Sequence, residues 1–485
     1  MYDADQVRDL DRRASLQLGI PGRILMQRAA TACHELIRRR WPQARRIGIL
    51  CGRGNNGGDG YELARLLRAD SREVELYAVG DLPETGDAAA AAADWRSEGG
   101  VLQRFAGALP VADLWVDALL GIGLNRAPDG AVRAAIEAVN RQATSGTPVL
   151  AVDVPSGLNA STGHVPGVAV RASVTLTFIA GKLGLRTGAG VDHAGYIEQE
   201  DLGIPATLLA GIPPRVRCLA PEDLEPARRP RARNAHKGHS GHVLLVGGNQ
   251  GMAGAILLAG RAALRAGAGL VTIATRPAHA VALAAAQPEL MAHGVADAAA
   301  LAPLLARADV VAIGPGLGED AWARELWAAV IACDKPRVLD ADALNLLARV
   351  PRRIDEAILT PHPGEAARLL ALANAAEVQR DRLQSLRQLE ARYGAVVVLK
   401  GAGSLVSDET PWLCPHGNPG MAVGGSGDVL TGVVAALRAQ GASATDAARW
   451  GVLAHALAGD RAALAGERGL LPSDLIDALR VVLNP

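Results

Sequence analysis

The chain has 485 residues with fifty basic and fifty acidic side chains, so its formal net charge at pH 7 is zero. This balance excludes a strongly basic surface for nucleic acid or for an anionic membrane, and we expect neither partner. About 49% of the residues are hydrophobic, and a chain of this length and composition is typical of two domains with separate cores.

Other general features favour a cytoplasmic protein. The longest apolar run, 253–271, is interrupted by Arg261 and Arg265, so we predict no membrane-spanning segment. The amino-terminal residues mix aspartate with arginine and lack the apolar core of a signal peptide. The five cysteines are scattered without CxxC spacing, which favours a reducing compartment over a disulfide framework or a zinc site.

In chain order, the pattern predicts a helical segment over 10–40, broken near 19–22, and then a series of strands. The strands of the first half are predicted at 46–50, 74–79, 114–116, 149–152 and 174–178. A Pro- and Arg-rich linker is predicted at 211–233. The strands of the second half are predicted at 242–246, 270–274, 310–313, 337–339, 357–359 and 395–399. Short β-branched runs that alternate with longer helices predict an α/β chain of parallel sheets, with domains over 1–215 and 225–485.

A glycine-rich loop, CGRGNNGGDG at 51–60, follows the first predicted strand and precedes a helix. This order is similar to a dinucleotide-binding fingerprint. Asn55, Asn56 and Asp59 stand where such a fingerprint has small spacer residues, so the loop offers side-chain oxygens and amides as well as backbone N–H groups. Those groups suit a hard cation or a polar ligand.

Two later strand ends carry similar groups. Asp117 precedes a flexible loop, LLGIG at 119–123, and Asp153 and Ser156 lie in the sequence DVPSG at 153–157. If these strands are neighbours, Asn56, Asp117 and Ser156 converge, because ligands bind at the carboxyl ends of parallel strands. The sequence thus predicts an oxygen-lined cation site, and the alternative is that each acid or serine caps a helix.

Together these motifs resemble the NAD(P)H-hydrate epimerase family, whose Rossmann-like domain interconverts the R and S forms of nicotinamide nucleotides hydrated at C6. The resemblance implies NADHX and NADPHX as substrates and a potassium ion bound by Asn56, Asp117 and Ser156. It also implies that Asp153 contacts the substrate, and we select Asp153 as the acid/base residue, with Lys182 as the second candidate. The other implied substrate contacts are Asn55, Asn56, Gly57, Gly58, Asp59, Gly121, Ile122, Gly123, Leu124, Asn125, Arg126 and Ala127.

The strands of the second half also end in polar or glycine-rich motifs. Asp342, after the strand at 337–339, is predicted to cap the next helix or to help bind magnesium. Glu365, which follows TPHPG at 360–364, is predicted to act near a metal or to favour a helix N-terminus. Lys400 and the small residues 401–404 suit a nucleotide phosphate. Three histidines at 236, 239 and 242 are interpreted as polar loop contacts, with a metal site as the alternative.

The motif GGSGD at 424–428 is the most informative one in the chain. Its small residues leave bare N–H groups at a helix start, and such groups attract anions. Asp428 puts a carboxylate beside that anion site, where it would take a proton from a hydroxyl that faces a phosphate. The alternative is an ordinary aspartate near the start of a glycine-initiated helix.

In this order, the motifs of the second half resemble the ribokinase-like NAD(P)H-hydrate dehydratase family. The resemblance implies ADP as co-substrate, with a magnesium ion, and Asp428 as the base that activates the C6 hydroxyl for phosphorylation. The implied substrate contacts are Ala253, Gly316, His362 and Asp428. The implied nucleotide contacts are Lys400, Gly401, Ala402, Gly403, Ser404 and Gly427.

Two alternatives remain open at the level of sequence. Kinases of vitamin precursors share a ribokinase-like fold and a Gly-x-Gly-Asp base, so the second domain would then phosphorylate a small molecule and leave a stable product. Alternatively, the first domain would be a non-catalytic binding module. Apolar positions in 10–40 would pack against another copy of the chain, and we therefore expect a homo-oligomer.

Overall fold

The computed structural model describes residues 1–484 and divides into two compact units, Met1–Val216 and a second unit that starts at Arg217. Each unit is an α/β body with its own sheet and its own buried core. Among the described residues, none of the helices has the length and apolar character that crossing a bilayer requires.

The first unit is built on a parallel sheet. Its strands are β1 (Arg46–Cys51), β2 (Glu73–Ala78), β3 (Leu102–Arg104), β4 (Leu114–Ala118), β5 (Val149–Val152), β6 (Val174–Phe178) and β7 (Tyr196–Glu200). Its helices are α1 (Ala4–Leu18), α2 (Gly22–Arg40), α3 (Asn55–Ala69), α4 (Gly86–Ser97), α5 (Gly130–Thr144), α6 (Gly190–His193) and α7 (Ala206–Ala210). The strand order is β3-β2-β1-β4-β5-β6-β7, so the order reverses between β1 and β4, where ligands bind in open sheets of this type.

Local sequence explains where the first two helices begin and end. Asp3 caps α1, because its carboxylate accepts the Gln6 N–H while the Gln6 side-chain oxygen accepts the Asp3 N–H. Gly19, with φ 65°, ends α1 in the left-handed conformation, and Pro21 starts α2. The predicted break near 19–22 is therefore confirmed.

The second unit carries a longer, mixed sheet. Its strands are β8 (Arg217–Cys218), β9 (His242–Val246), β10 (Leu270–Thr275), β11 (Met291–Gly294), β12 (Val310–Ile313), β13 (Arg337–Leu339), β14 (Ala357–Leu359), β15 (Val396–Leu399), β16 (Ser404–Val406) and β17 (Trp412–Cys414). The order is β11-β10-β9-β12-β13-β14-β15-β16-β17-β8. From β11 to β15 the strands run parallel, whereas β15, β16 and β17 are antiparallel neighbours.

Helices of the second unit cover this sheet. They are α8 (Ala253–Arg265), α9 (Pro277–Ala286), α10 (Ala298–Arg307), α11 (Ala321–Ala332), α12 (Asp342–Arg349), α13 (Pro363–Leu370), α14 (Ala375–Arg380), α15 (Arg382–Tyr393), α16 (Ser426–Ala439), α17 (Ala444–Ala462) and α18 (Pro472–Val482). A Cβ on Gly432 would lie 2.1 Å from the Ala259 carbonyl oxygen, so glycine is needed for α16 to pack tightly against α8. This contact fixes the position of α16, which begins at the GGSGD motif.

The predicted linker over 211–233 is wrong in its central part. Arg217 and Cys218 form β8, which pairs with β17, and 221–228 is a 3₁₀ helix. Val216 is buried, and so are Leu219 and Leu224, which belong to the core of the second unit. Its scattered apolar residues have no helical or strand period, and for that reason the Pro- and Arg-rich composition dominated the prediction.

Every strand predicted from the sequence is present, with bounds that agree to within two residues. The strands that were missed are β3, β7, β8, β11, β16 and β17. They lie outside the buried centre of each sheet, and most have too few β-branched residues to stand out as apolar runs.

Candidate active sites

A cavity of about 970 Å³ opens in the first unit where the strand order reverses. Its wall combines α1 and α2 with the loops after β1 and β4 and with residues that follow β5 and β6. The predicted substrate contacts that line it are Asn55, Asn56, Asp59, Gly121, Ile122, Gly123, Leu124, Asn125, Arg126, Ala127 and Asp153. Gly57 and Gly58 do not line it. A Cβ on Gly57 would lie 1.9 Å from the Gly52 carbonyl oxygen, so these glycines serve close packing, and their contact with substrate stays a prediction.

Asp153 and Lys182 form a buried ion pair on the cavity wall. Lys182 Nζ lies 2.5 Å from Asp153 Oδ1 and 2.7 Å from the Phe178 carbonyl oxygen, and the lysine side chain has no exposed surface. Asp153 has φ 67°, a left-handed conformation that is strained for a non-glycine residue and is common at functional sites. The fold therefore holds a carboxylate and an ammonium together at the cavity.

Two other carboxyl groups that line the same cavity, Asp11 and Asp59, have raised pKa values. Burial and repulsion from Asp153 raise the pKa of Asp11 to about 6, while the charge of Lys182 lowers it in part. Burial raises the pKa of Asp59 well above its usual range, and repulsion from Asp153 and Asp11 acts in the same direction. The cavity thus places two carboxyl groups with raised pKa values close to the Asp153–Lys182 pair, a grouping that is typical of proton-transfer sites.

Sequence reasoning missed Asp11. It lies on α1 beside the buried positions Val7, Leu10 and Ala14. An acidic residue at the margin of an apolar helix stripe is the signal that would have identified it.

Asn56, Asp117 and Ser156 converge at one point, as predicted. Ser156 Oγ donates to Asp117 Oδ1 at 2.6 Å, and the Ser156 N–H donates to Asp117 Oδ2 at 2.8 Å. Asn56 Nδ2 donates to the Leu120 carbonyl oxygen at 3.1 Å, and Ser156 Oγ accepts from the Leu120 N–H at 2.8 Å. Helix capping does not explain the set, because Gly54, Asp129 and Ala189 occupy the N-cap positions of the following helices.

Asp117 is fully buried and has no basic side chain as a partner among residues 1–484. Burial raises its pKa to about 6, although hydrogen bonds from Ser156 and Leu119 lower it in part. A buried carboxylate without a counter-charge, surrounded by carbonyl and hydroxyl oxygens, fits a monovalent cation.

In the second unit, Lys400 is the centre of a second acidic cluster. Its Nζ lies 2.7 Å from Asp340 Oδ1 and 3.8 Å from Glu365 Oε2. Asp340 also accepts bonds from the hydroxyls of Thr360 and Thr431, both at 2.8 Å. Sequence reasoning missed Asp340, which anchors the lysine at the carboxyl ends of the strands.

Asp428 lies in the first turn of α16, next to this cluster. Burial raises its pKa to about 7, repulsion from Asp340 adds to the effect, and the charge of Lys400 opposes it. Gly425, with φ 99°, precedes the helix, and no side chain caps its N-terminal N–H groups. A Cβ on Gly427 would lie 3.3 Å from Lys400 Nζ, so the glycine leaves space beside the ammonium. A carboxyl group with a raised pKa thus stands beside an uncapped helix N-terminus, an arrangement that suits a base next to a bound anion.

The other predicted contacts of the second unit lie on neighbouring elements. Ala253 begins α8, and Gly316, with φ 57°, lies in the loop after β12. His362 is half-exposed and caps α13, with Glu365 completing the capping box, so that interpretation of Glu365 is confirmed. Burial and the charge of Lys400 lower the pKa of His362.

Asp342 does not cap α12, so that part of the prediction is wrong. It is the first residue of the helix, and its Oδ2 accepts the Gly318 N–H at 2.7 Å. The carboxylate therefore bonds to the loop after β12 and not to the N-terminal N–H groups of α12. The three histidines do not share one set of partners. His236 and His239 stack with ring centroids 3.6 Å apart, whereas His242 contacts the Arg307 carbonyl and the Thr272 hydroxyl.

Comparison with known proteins identifies both halves. Residues 22–184 match the family model described as the YjeF-related protein N-terminus, and residues 243–480 match the model for NAD(P)H-hydrate dehydratase. A bifunctional NAD(P)H-hydrate repair enzyme of Coxiella burnetii is 46% identical over all of this chain and 99% of its own length. One from Escherichia coli is 44% identical over all of this chain and 94% of its own length. The chain belongs to the bifunctional NAD(P)H-hydrate repair enzymes.

Solved structures support the fold of the second unit of this repair enzyme. A ribokinase-like superfamily protein of Enterococcus faecalis aligns with a TM-score of 0.52 at 31% identity, covering 56% of this chain and 95% of its own. The predicted combination of a Rossmann-like unit and a ribokinase-like unit is therefore confirmed, as are the family and its enzymatic character.

Proposed function

We propose that the first unit interconverts the R and S forms of NADHX and NADPHX, and that the second unit dehydrates the S form with ADP, releasing AMP and phosphate. The observation that carries the proposal is the position of Asp428. A carboxyl group with a pKa of about 7 lies beside an uncapped helix N-terminus and the Lys400 cluster. This arrangement supports phosphorylation of a hydroxyl, which a hydrated nicotinamide presents at C6.

In the second unit, Asp428 accepts the proton of the C6 hydroxyl while the hydroxyl oxygen attacks the β-phosphorus of ADP, and AMP leaves. The first-turn amides of α16, together with Lys400 and residues 401–404, hold the phosphates and the charge that develops on them. Phosphorylation converts the hydroxyl into a phosphate ester, from which phosphate is a good leaving group. The ring nitrogen lone pair then expels phosphate, and loss of the C5 proton restores the dihydronicotinamide.

A magnesium ion fits the charge of this site. Four acidic side chains lie near the single ammonium of Lys400, so the site has an excess of negative charge. They are Asp340, Asp342, Glu365 and Asp428. Asp342 and Glu365 are the residues that would hold the ion. When bound, it supplies neutralising charge to the phosphates.

In the first unit, Asp153 acts as the acid/base residue at C6, and Lys182, whose Nζ lies 2.5 Å from Asp153 Oδ1, holds that side chain in position. Potassium would be held by Asn56, Asp117 and Ser156, where it supplies the counter-charge that Asp117 lacks in the protein. Location in the cytoplasm and assembly as a homo-oligomer remain predictions from the sequence.

The decisive experiment follows recovery of dihydronicotinamide absorbance from a mixture of R and S hydrated NADH. It is run with ADP, ATP or no nucleotide, in buffer with potassium and magnesium. Full recovery with ADP, and recovery of only the S fraction by an Asp153→Ala variant, support both halves. A stable phosphorylated product without recovered absorbance would contradict the dehydratase and favour a small-molecule kinase.

A further inference from the structure

Arg382, the first residue of α15, is almost completely buried under the loop that follows β15. Its guanidinium donates to the carbonyl oxygens of Leu399, Lys400 and Gly403 at 3.1, 3.2 and 3.4 Å. It also donates to Gln379 Oε1 at 2.9 Å. Burial lowers the pKa of Arg382 to about 10, so the side chain remains charged at neutral pH. One cation therefore binds three carbonyls of a five-residue segment.

The loop between β15 and β16, which Arg382 binds, has an unusual backbone conformation. Gly401 has φ 130° and Gly403 has φ 65°, so the backbone turns sharply between β15 and β16. In a planar trans peptide the N–H points opposite to the C=O. Because the Lys400 carbonyl is directed at Arg382, the Gly401 N–H is directed away from it. Within the described residues, the Gly401 and Ala402 amides donate to no protein acceptor.

We propose that Arg382 is a positioning residue for the phosphates of the nucleotide. It holds the carbonyls of Leu399, Lys400 and Gly403 on its own side and so keeps the Gly401 and Ala402 amides available to the ligand. The inference rests on the proposed nucleotide site at 400–404. Arg382 itself lies beneath the loop and acts through the backbone.

The same unit contains a matched control. Arg337 is also buried and also donates to three carbonyl oxygens, those of Ile331, Cys333 and Lys335, at 3.0, 2.7 and 3.0 Å. It begins β13, whereas the proposed site lies at the carboxyl ends of the strands. Replacing either arginine removes comparable bonds, but only Arg382 supports the loop.

The test compares Arg382→Lys with Arg337→Lys in the full chain, measuring kcat and the KM values for ADP and for the S hydrate. Arg382→Lys should raise the KM for ADP about tenfold, equivalent to about 1.4 kcal/mol, and leave the KM for the hydrate within about twofold. Arg337→Lys should lower the thermal unfolding temperature without a selective effect on ADP. An unchanged KM for ADP, or an equal rise in both KM values, would overturn the positioning role.

A milder variant covers the case in which Arg382→Lys does not fold. Gln379 is partly exposed, and Gln379→Ala removes one bond that orients the guanidinium. It should raise the KM for ADP about threefold, and no rise would overturn the inference.

Ala402→Asp separates this inference from the proposed function. Ala402 is exposed, so the substitution places a carboxylate where the phosphates would bind without disturbing the core. If Ala402→Asp leaves the KM for ADP unchanged, the nucleotide site itself is wrong. If Ala402→Asp raises it and neither Arg382→Lys nor Gln379→Ala does, only the role of Arg382 fails.

Discussion

Asp428→Asn should abolish dehydration and, at neutral to alkaline pH, make the second unit more stable. Burial, together with the nearby Asp340, raises the pKa of Asp428 from its usual 3.8 to about 7, although Lys400 opposes the effect. Ionised Asp428 therefore destabilises the folded state. A change from 3.8 to about 7 corresponds to about 4 kcal/mol, which is an upper value because the side chain is partly exposed.

The pH dependence has a definite sign. The folded state holds this proton up to about pH 7, whereas the unfolded chain releases it near pH 4. The destabilisation is absent below the lower value, grows between the two, and is complete above pH 7. The gain in unfolding free energy from Asp428→Asn should therefore be larger at pH 8 than at pH 5, by about 2–3 kcal/mol. In the wild type, kcat/KM for dehydration should rise about tenfold per pH unit below pH 7 and level off above it, because only the carboxylate is a base.

Urea unfolding of the full chain at the two pH values measures the free energy, and the transition of the second unit is the one to follow. Asp477→Asn is the control, since Asp477 is an exposed carboxylate of α18 in the same unit and should change stability little at either pH. Epimerase activity should persist and reports that the first unit is intact. An equal gain at pH 5 and pH 8, or retained dehydration, would refute the assignment of Asp428 as a buried base.

Asp153→Asn should eliminate epimerisation measured with the R hydrate and leave dehydration of the S hydrate unchanged; epimerisation at the wild-type rate would remove Asp153 from the mechanism. Ser156→Ala removes a 2.6 Å bond to Asp117 and should weaken the dependence of epimerisation on potassium in a titration from lithium to potassium buffer, and an unaltered potassium response would argue against the cation site. Gly432→Ala should destabilise the second unit by about 1–3 kcal/mol in thermal unfolding, because its Cβ would meet α8. Gly254→Ala, where a Cβ meets nothing within 4 Å, is its control, and equal effects of the two substitutions would contradict the packing argument.

The parallel core of both sheets was predictable because the signals are local. Buried central strands appear as β-branched runs, and their carboxyl ends carry glycine and acidic residues. The same rule predicted that Asn56, Asp117 and Ser156 would meet, since β1, β4 and β5 are adjacent in the sheet. The GGSGD motif was informative because a helix start and its first-turn carboxylate are set by a few neighbouring residues.

The partners of these groups were not predictable, since they come from distant parts of the chain. Asp11 reaches the first cavity from α1, and Arg382 reaches its loop from α15. Asp342 was expected to cap a helix, but its carboxylate instead accepts the N–H of Gly318, which lies 24 residues earlier in the chain. No periodicity or spacing encodes such tertiary contacts, and the perturbed pKa of Asp428 depends on them as well.

The pairing of Lys182 with Asp153 and of Lys400 with Asp340 has a practical consequence for labelling chemistry. The chain contains only four lysines, and the other two are Lys237 and Lys335. An amine-reactive dye needs an accessible amine, and both paired lysines are largely buried and bonded to carboxylates. Lys237, in the exposed turn before β9, is the most accessible of the four. Ordinary lysine reagents should therefore label the wild-type enzyme first at Lys237 and leave both proposed sites unmodified.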